Sequence, residues 1–160
     1  MPLGPKRPTS SRAGRWGGKL FSVNLVQALK KGPVVLYFYP KAFTQGCTLE
    51  AHAFAEATPD FRAAGATVIG LSNDDFATLQ RFSVEACRDK FAVATATPAV
   101  VKAYDVDLVR DGKSTGLTKR TSYVIGQDGR IKLVHSDMDY KDHVRVTLAA
   151  VRAIKAKKRA

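Results

Sequence analysis

The sequence predicts one mixed α/β domain, built on a central sheet with helices packed against it. Two short apolar runs, at residues 34–38 and 67–71, are typical of strands buried on both faces. Segments with apolar residues at helical spacing follow each of these runs. Two more strands, at 121–125 and 131–135, flank a Gly-Gln-Asp-Gly turn at 126–129 and predict an antiparallel hairpin at the edge of the sheet.

The other elements follow from local signals along the chain. Residues 20–31 form an apolar-polar segment that ends at a Gly-Pro turn at 32–33. Thr58 and Pro59 match an N-cap and a first-turn proline, which predicts that a second helical piece opens there and ends at Gly65. In chain order, helices are predicted over residues 48–57, 58–65, 74–86, 98–104 and 141–158. The last of these carries cations at its C-terminal end, where the helix dipole favours them.

The net charge of +12 is concentrated at the two ends of the 160-residue chain. Residues 1–19 and 151–160 each carry five cations and no acid, so residues 20–150 carry only +2. We therefore expect a basic, flexible arm over 1–18 and one folded domain over 19–160. Basic ends can bind nucleic acid, but the sequence has no DNA- or RNA-binding signature, which favours solvated tails.

Hydropathy and cysteine content exclude several classes of protein. No apolar run approaches the roughly 20 residues of a membrane span, and the first twenty residues lack the apolar segment of a secretory signal. The expectation is a cytoplasmic protein without membrane contact. Two cysteines cannot form a disulfide scaffold, and their spacing excludes Cys-x-x-Cys and the usual zinc patterns. They are either one catalytic pair or two independent thiols.

Cys47 lies where the strand at 34–38 ends, a short loop turns and a helix begins. The free N–H groups and the dipole at a helix N-terminus favour negative charge. A thiol placed there loses its proton more readily, and the thiolate is the nucleophilic form. Cys47 is therefore the leading candidate for a reactive residue.

The pattern Pro-x-x-x-Thr-x-x-Cys, formed by Pro40, Thr44 and Cys47, resembles the active-site motif of the peroxiredoxins. The resemblance continues to Arg120 and the hairpin that follows it, and covers most of residues 20–150. The run Tyr-Phe-Tyr-Pro-Lys at 37–41 resembles the branch called peroxiredoxin Q, or bacterioferritin comigratory protein. Membership implies a thioredoxin-like fold, a central mixed sheet flanked by helices.

The resemblance also implies a role for each motif residue. Cys47 attacks a peroxide oxygen as the thiolate and becomes a sulfenic acid. The Thr44 hydroxyl donates to the peroxide or thiolate and accepts from the substrate, while Arg120 supplies a permanent positive charge. Pro40 closes one wall against water, and Glu50, one turn into the helix, orients Arg120.

Cys87 is the candidate resolving cysteine. Many relatives carry their second cysteine five residues after the first, a position held here by His52, but others carry it on the helix after the second strand, as Cys87 would be. The resemblance then implies an intramolecular disulfide with Cys47. The alternative is that Cys87 is a small buried residue of a one-cysteine enzyme.

Together these implications describe a thioredoxin-dependent peroxidase that reduces hydrogen peroxide and organic hydroperoxides, with an antioxidant role in cell redox homeostasis. No metal, haem or flavin is implied, and His52, His135 and His143 have no visible ligand set. A monomer or weak homodimer is expected. Two rival hypotheses are a general thiol–disulfide oxidoreductase on the same fold and a basic, non-enzymatic binding module.

Overall fold

The computed structural model describes the backbone of residues 11–16, 19–85, 92–96, 101–102 and 104–159. Within these ranges the chain forms nine strands and four helices. In order they are β1 (Ser11–Trp16), β2 (Lys19–Asn24), α1 (Leu25–Lys31), β3 (Val34–Phe38), α2 (Gln45–Ala63), β4 (Thr67–Ser72), α3 (Phe76–Glu85), β5 (Ala92–Thr95), β6 (Asp107–Arg110), β7 (Lys113–Thr118), β8 (Thr121–Ile125), β9 (Ile131–Ser136) and α4 (His143–Arg159).

Seven of the strands form one sheet in the order β2-β1-β5-β4-β3-β8-β9. β3 pairs in parallel with β4, and β4 with β5, whereas β8 lies antiparallel to both β3 and β9. β3 is therefore central, and all five of its residues are buried. The predicted mixed sheet with an antiparallel edge hairpin is confirmed.

Helices cover both faces of this sheet. The face with Val35, Tyr37 and Tyr39 packs against apolar residues of α2, α3 and α4. The opposite face packs against Leu29 of α1 and against the segment around Tyr104. Such double coverage explains why the central strands are apolar at every position rather than alternating.

A close backbone contact fixes the start of β3 beside the end of α2. A Cβ atom at Gly32 would lie 2.0 Å from the carbonyl oxygen of Gly65, so only glycine fits at residue 32. Gly65 itself has φ +79°, a conformation that glycine adopts without strain, and it follows the end of α2 as predicted.

The prediction of a helix break at Thr58 and Pro59 is wrong, because α2 runs without interruption from Gln45 to Ala63. Thr58 does not cap a new helix; its hydroxyl donates to the carbonyl oxygen of Phe54, at 3.0 Å. Phe54 and Phe61 are both buried, one on each side of the proline. Packing therefore outweighs the hydrogen bond that a proline cannot donate.

Several strands are absent from the predicted elements. Part of the predicted arm, Ser11–Trp16, forms β1 and pairs with β2 and β5, while residues 1–10 lie outside the described ranges. β6 and β7 form a separate hairpin around Asp111 and Gly112, which both have positive φ. The Asp-Gly pair is a known signal for such a turn.

The remaining predicted boundaries shift only slightly. The helix expected over 74–86 is α3 (Phe76–Glu85), and the helix expected over 141–158 is α4 (His143–Arg159). Of the short helix expected over 98–104, only residues 101 and 102 are described as helical. Across the described part of the chain, we find no helix that is both long and apolar enough to traverse a membrane.

Candidate active site

Cys47 is the third residue of α2 and is 1% exposed. The loop of residues 39–44 brings it to the carboxyl end of β3. The Thr118 hydroxyl donates to the carbonyl of Tyr39 at 2.7 Å, and the N–H of Ala42 donates to Asp74 Oδ2 at 2.7 Å. These two bonds hold the loop to the end of β7 and to the segment that follows β4, which fixes where α2 starts.

The same loop carries an unusual backbone conformation at Phe43, with φ 66°. Its ring meets Phe82 edge-on with centroids 5.3 Å apart, and the guanidinium of Arg81 lies 5.4 Å from its centroid. Both contacts come from α3, and a cation over an aromatic face is attractive. They hold the turn that precedes Cys47 in a left-handed conformation that a bulky residue rarely adopts.

Sheet register brings Arg120 to the same end of the sheet. β8 runs antiparallel to β3 with Thr121 opposite Phe38, so the residue before β8 lies beside the residues that follow β3. Arg120 Nη1 donates to Glu50 Oε1 at 2.8 Å, and Nε donates to the Met138 carbonyl at 2.7 Å. The guanidinium also lies close enough to Cys47 for the two groups to attract each other.

The electrostatics of this cluster are those of a buried site with one permanent cation. Burial lowers the pKa of Arg120, but attraction from Glu50 and Cys47 outweighs that effect and the pKa is raised. Burial raises the pKa of Glu50 to about 8, only partly offset by the charge and hydrogen bond of Arg120. A cation held in this way stabilises a thiolate at residue 47 and negative charge that develops beside it.

The backbone of Gly46 lies against the same guanidinium. A Cβ atom at this position would come within 3.0 Å of Arg120 Nη2. Glycine therefore lets the arginine approach the first turn of α2 closely.

The family model described as AhpC/TSA matches residues 16–134. The chain belongs to this family. Peroxiredoxin Bcp of Escherichia coli is 31% identical over 117 residues, which are 72% of this chain and 75% of that protein. The chloroplastic peroxiredoxin Q of Suaeda salsa is 32% identical over 126 residues, 78% of this chain and 58% of that protein.

Solved structures of peroxiredoxins share the fold. The peroxidoxin BcpB of Mycobacterium tuberculosis superposes with a TM-score of 0.83 at 30% identity, covering 96% of this chain and 98% of its own. The bacterioferritin comigratory protein of Xanthomonas campestris, studied for alkyl peroxide reduction, gives a TM-score of 0.76 at 26% identity over 90% and 92% of the two chains. The expected thioredoxin-like fold and the resemblance to the peroxiredoxin Q branch are confirmed.

The structure of this peroxiredoxin brings most of the predicted site residues to one place. Pro40 is buried in the loop before α2, and Arg120 contacts both Glu50 and Cys47. Thr44 is the N-cap residue of α2, but its hydroxyl donates to the carbonyl of Lys41 at 2.9 Å. That bond occupies its only proton, so in this rotamer Thr44 can accept a hydrogen bond from a substrate but not donate one.

The assignment of Cys87 as the resolving residue stays a prediction. Cys87 lies outside the described residues. His52 is half-buried on α2, and no group of His, Cys, Asp or Glu side chains within the described ranges is arranged to hold a metal ion.

His143 belongs to the site, although no local sequence signal points to it. It is fully buried at the start of α4, and its Nδ1 lies 3.7 Å from Glu50 Oε2 and 2.8 Å from the Ser122 hydroxyl. Its Nε2 lies 2.8 Å from the carbonyl of Asp137. Ser122 stands at an unspecified position of the hairpin motif and His143 stands in no motif, and only the packing of α4 on the sheet brings the two together.

Proposed function

We propose that this peroxiredoxin is a thiol peroxidase in which Cys47 is the residue oxidised by the peroxide. The observation that carries the proposal is the Arg120 guanidinium, which contacts both Glu50 and Cys47 at the first turn of a helix. A buried cation and free N–H groups of that turn both favour a thiolate over a thiol. The surrounding burial keeps bulk water away from the sulfur.

The same groups suit the transition state of peroxide reduction. The thiolate attacks one peroxide oxygen, the O–O bond breaks and negative charge develops on the leaving oxygen. Arg120 and the N–H groups of Gly46 and Cys47 are placed to stabilise that charge, since N–H groups of a first helical turn lack intrahelical acceptors. Thr44 accepts the hydrogen bond of the incoming hydroperoxide, and Pro40 forms one wall.

Both hydrogen peroxide and organic hydroperoxides are proposed as substrates. Support for the organic class comes from the bacterioferritin comigratory protein of Xanthomonas campestris, which has been studied for alkyl peroxide reduction. The sulfenic acid is then resolved by Cys87 to an intramolecular disulfide, and a thioredoxin-type dithiol reduces that bond. A reducing compartment such as the cytoplasm and a monomeric or weakly dimeric state fit this cycle.

Cys47→Ser tests the central assignment. The variant should fold as the parent does but consume no peroxide, because serine cannot form the sulfenic acid. Circular dichroism and a peroxide-consumption assay measure the two properties. A folded Cys47→Ser chain with near-normal turnover would contradict the proposal.

Cys87→Ser tests the resolving step separately. One equivalent of peroxide should still oxidise Cys47 at the parental rate, whereas thioredoxin-coupled turnover should fall sharply. Sulfinic acid should accumulate, because no internal thiol traps the sulfenic acid. The parent chain should instead lose two hydrogens in mass. If Cys87→Ser cycles with thioredoxin as fast as the parent, another thiol resolves Cys47.

A further inference from the structure

A buried polar cluster lies behind Cys47 and is formed by Glu50, Arg120, Ser122 and His143. The side chains come from α2, the segment before β8, β8 itself and the start of α4. Glu50, Ser122 and His143 are 0% exposed, and Arg120 is 6% exposed. A charge in such surroundings must be balanced locally, since water cannot screen it.

The partners of His143 fix where its proton lies. A carbonyl oxygen can only accept, so Nε2 carries the hydrogen and donates it to Asp137 at 2.8 Å. In the neutral ring Nδ1 is then an acceptor, and it takes the Ser122 hydroxyl proton at 2.8 Å. Burial, outweighing the hydrogen bond to Asp137, lowers the pKa of His143 and keeps the ring neutral.

Only one of the two carboxyl oxygens of Glu50 has a hydrogen-bond partner among the described residues. Oε1 accepts from Arg120, but Oε2 makes no hydrogen bond with any described residue and faces His143 Nδ1 at 3.7 Å. An ionised carboxylate would leave a charged, buried oxygen without a donor. A proton on Oε2 removes the charge, which is the larger part of that cost, and leaves the bond from Arg120 to Oε1 intact.

The charges that face Glu50 do not allow two anions. Among the residues that the structure describes, Arg120 is the one permanent cation that contacts it, and the same guanidinium lies beside Cys47. His143 is neutral, and His135 of β9 packs against that ring with centroids 4.6 Å apart, which further disfavours a charge there. One arginine carries a single positive charge, so with the thiolate and the carboxylate both ionised this buried cluster would hold one excess negative charge.

We propose that Glu50 holds a proton on Oε2 while Cys47 is a thiolate, and releases it once Cys47 has been oxidised. This inference rests on the proposed function of Cys47. The sulfur–oxygen bond forms, the O–O bond breaks and its electron pair leaves on RO⁻, so sulfur is oxidised and the peroxide reduced. The balance is Cys47–S⁻ + Glu50–COOH + ROOH → Cys47–SOH + Glu50–COO⁻ + ROH. Arg120 thus faces one negative charge before and after the reaction.

An infrared difference spectrum tests the proton directly. The Cys87→Ser chain, which is expected to stop at the sulfenic acid, is recorded before and after one equivalent of peroxide. We expect the carbonyl band of one buried carboxylic acid to disappear for each Cys47 oxidised, with a carboxylate band in its place. Glu50→Gln in the same background should lack the change, whereas Glu56→Gln, on the exposed face of α2, should keep it.

A second measurement covers the case in which Glu50→Gln does not fold. The chain contains only three glutamates, Glu50, Glu56 and Glu85, and the other two are exposed. A band that moves when glutamate carboxyl groups are labelled with ¹³C is therefore assigned to Glu50. An unchanged carboxylic-acid region, in a sample whose mass shows one oxygen on Cys47, overturns this proposal alone. If peroxide adds no oxygen to Cys47, the proposed function fails as well.

Discussion

Glu50→Gln is expected to change how the free energy of unfolding depends on pH. Burial raises the pKa of Glu50 to about 8 in the folded chain, against an ordinary value of 4.5. Between these values the folded chain binds more protons than the unfolded chain, so the contribution of Glu50 is present at low pH and is lost as the pH rises through 8. Glutamine places an amide where the protonated acid stood and does not titrate.

His143 has the opposite effect on the pH dependence of the free energy of unfolding, and it acts at lower pH. Burial lowers its pKa below the ordinary 6.5, so the unfolded chain gains protons first as the pH falls below that value, and stability falls with it. What remains of this effect above pH 6.5 is shared by the parent and Glu50→Gln, so the difference between the two chains from pH 6.5 to pH 8 reports on Glu50. A single group changes stability by at most about 1.4 kcal/mol per pH unit, which gives a loss of roughly 1–2 kcal/mol over this range after partial titration near pH 8 is included.

Urea unfolding at pH 6.5 and pH 8 measures this difference. Both chains keep Cys47 in its reduced form, because Glu50 is expected to hold its proton while residue 47 is a thiolate, and any titration of the thiol is common to the two chains. The parent should lose roughly 1–2 kcal/mol across the range, and Glu50→Gln should remove most of that loss. Glu56→Gln provides the matched control and should behave as the parent. A Glu50→Gln chain that loses stability as steeply as its parent would refute the protonation argument.

Arg120→Met should slow oxidation of Cys47 by about 10²–10³-fold in stopped flow, the usual loss when a donor to developing charge is removed; a rate within twofold of the parent would remove it from the site. The same change leaves Glu50 without its buried partner and should lower the denaturation midpoint, and adding Glu50→Gln should recover part of it. Thr44→Val should slow oxidation by about tenfold or more and Thr44→Ser should not, because only serine keeps the hydroxyl that accepts from the substrate; equal rates would contradict that role. Gly46→Ala should push the guanidinium away and slow oxidation by about tenfold without loss of thermal stability, and an unchanged rate would show that Arg120 can shift freely.

The part of the fold that sequence predicts well is the part whose signals are local. β3, β4 and the β8–β9 hairpin are short apolar runs bounded by turn residues, and the structure has all of them. β1 lacks such a run, and β5 (Ala92–Thr95) is only four residues long and holds two alanines, which are poor strand formers. The break predicted at Pro59 failed for a related reason, because buried aromatic residues on both sides keep α2 continuous.

The residues of the site also fall into those that local sequence predicts and those that only the tertiary structure brings together. Pro40, Thr44 and Cys47 lie within eight residues on one loop and helix start, so their order alone predicts a reactive cysteine. Arg120 is 70 residues from Glu50, and only the antiparallel register of β8 on β3 brings it there. His143 could not be predicted at all, since nothing local distinguishes it from a solvent-exposed histidine. Its neutral state, its bond to Ser122 and its distance from Glu50 exist only because α4 closes over that end of the sheet and removes water from between them.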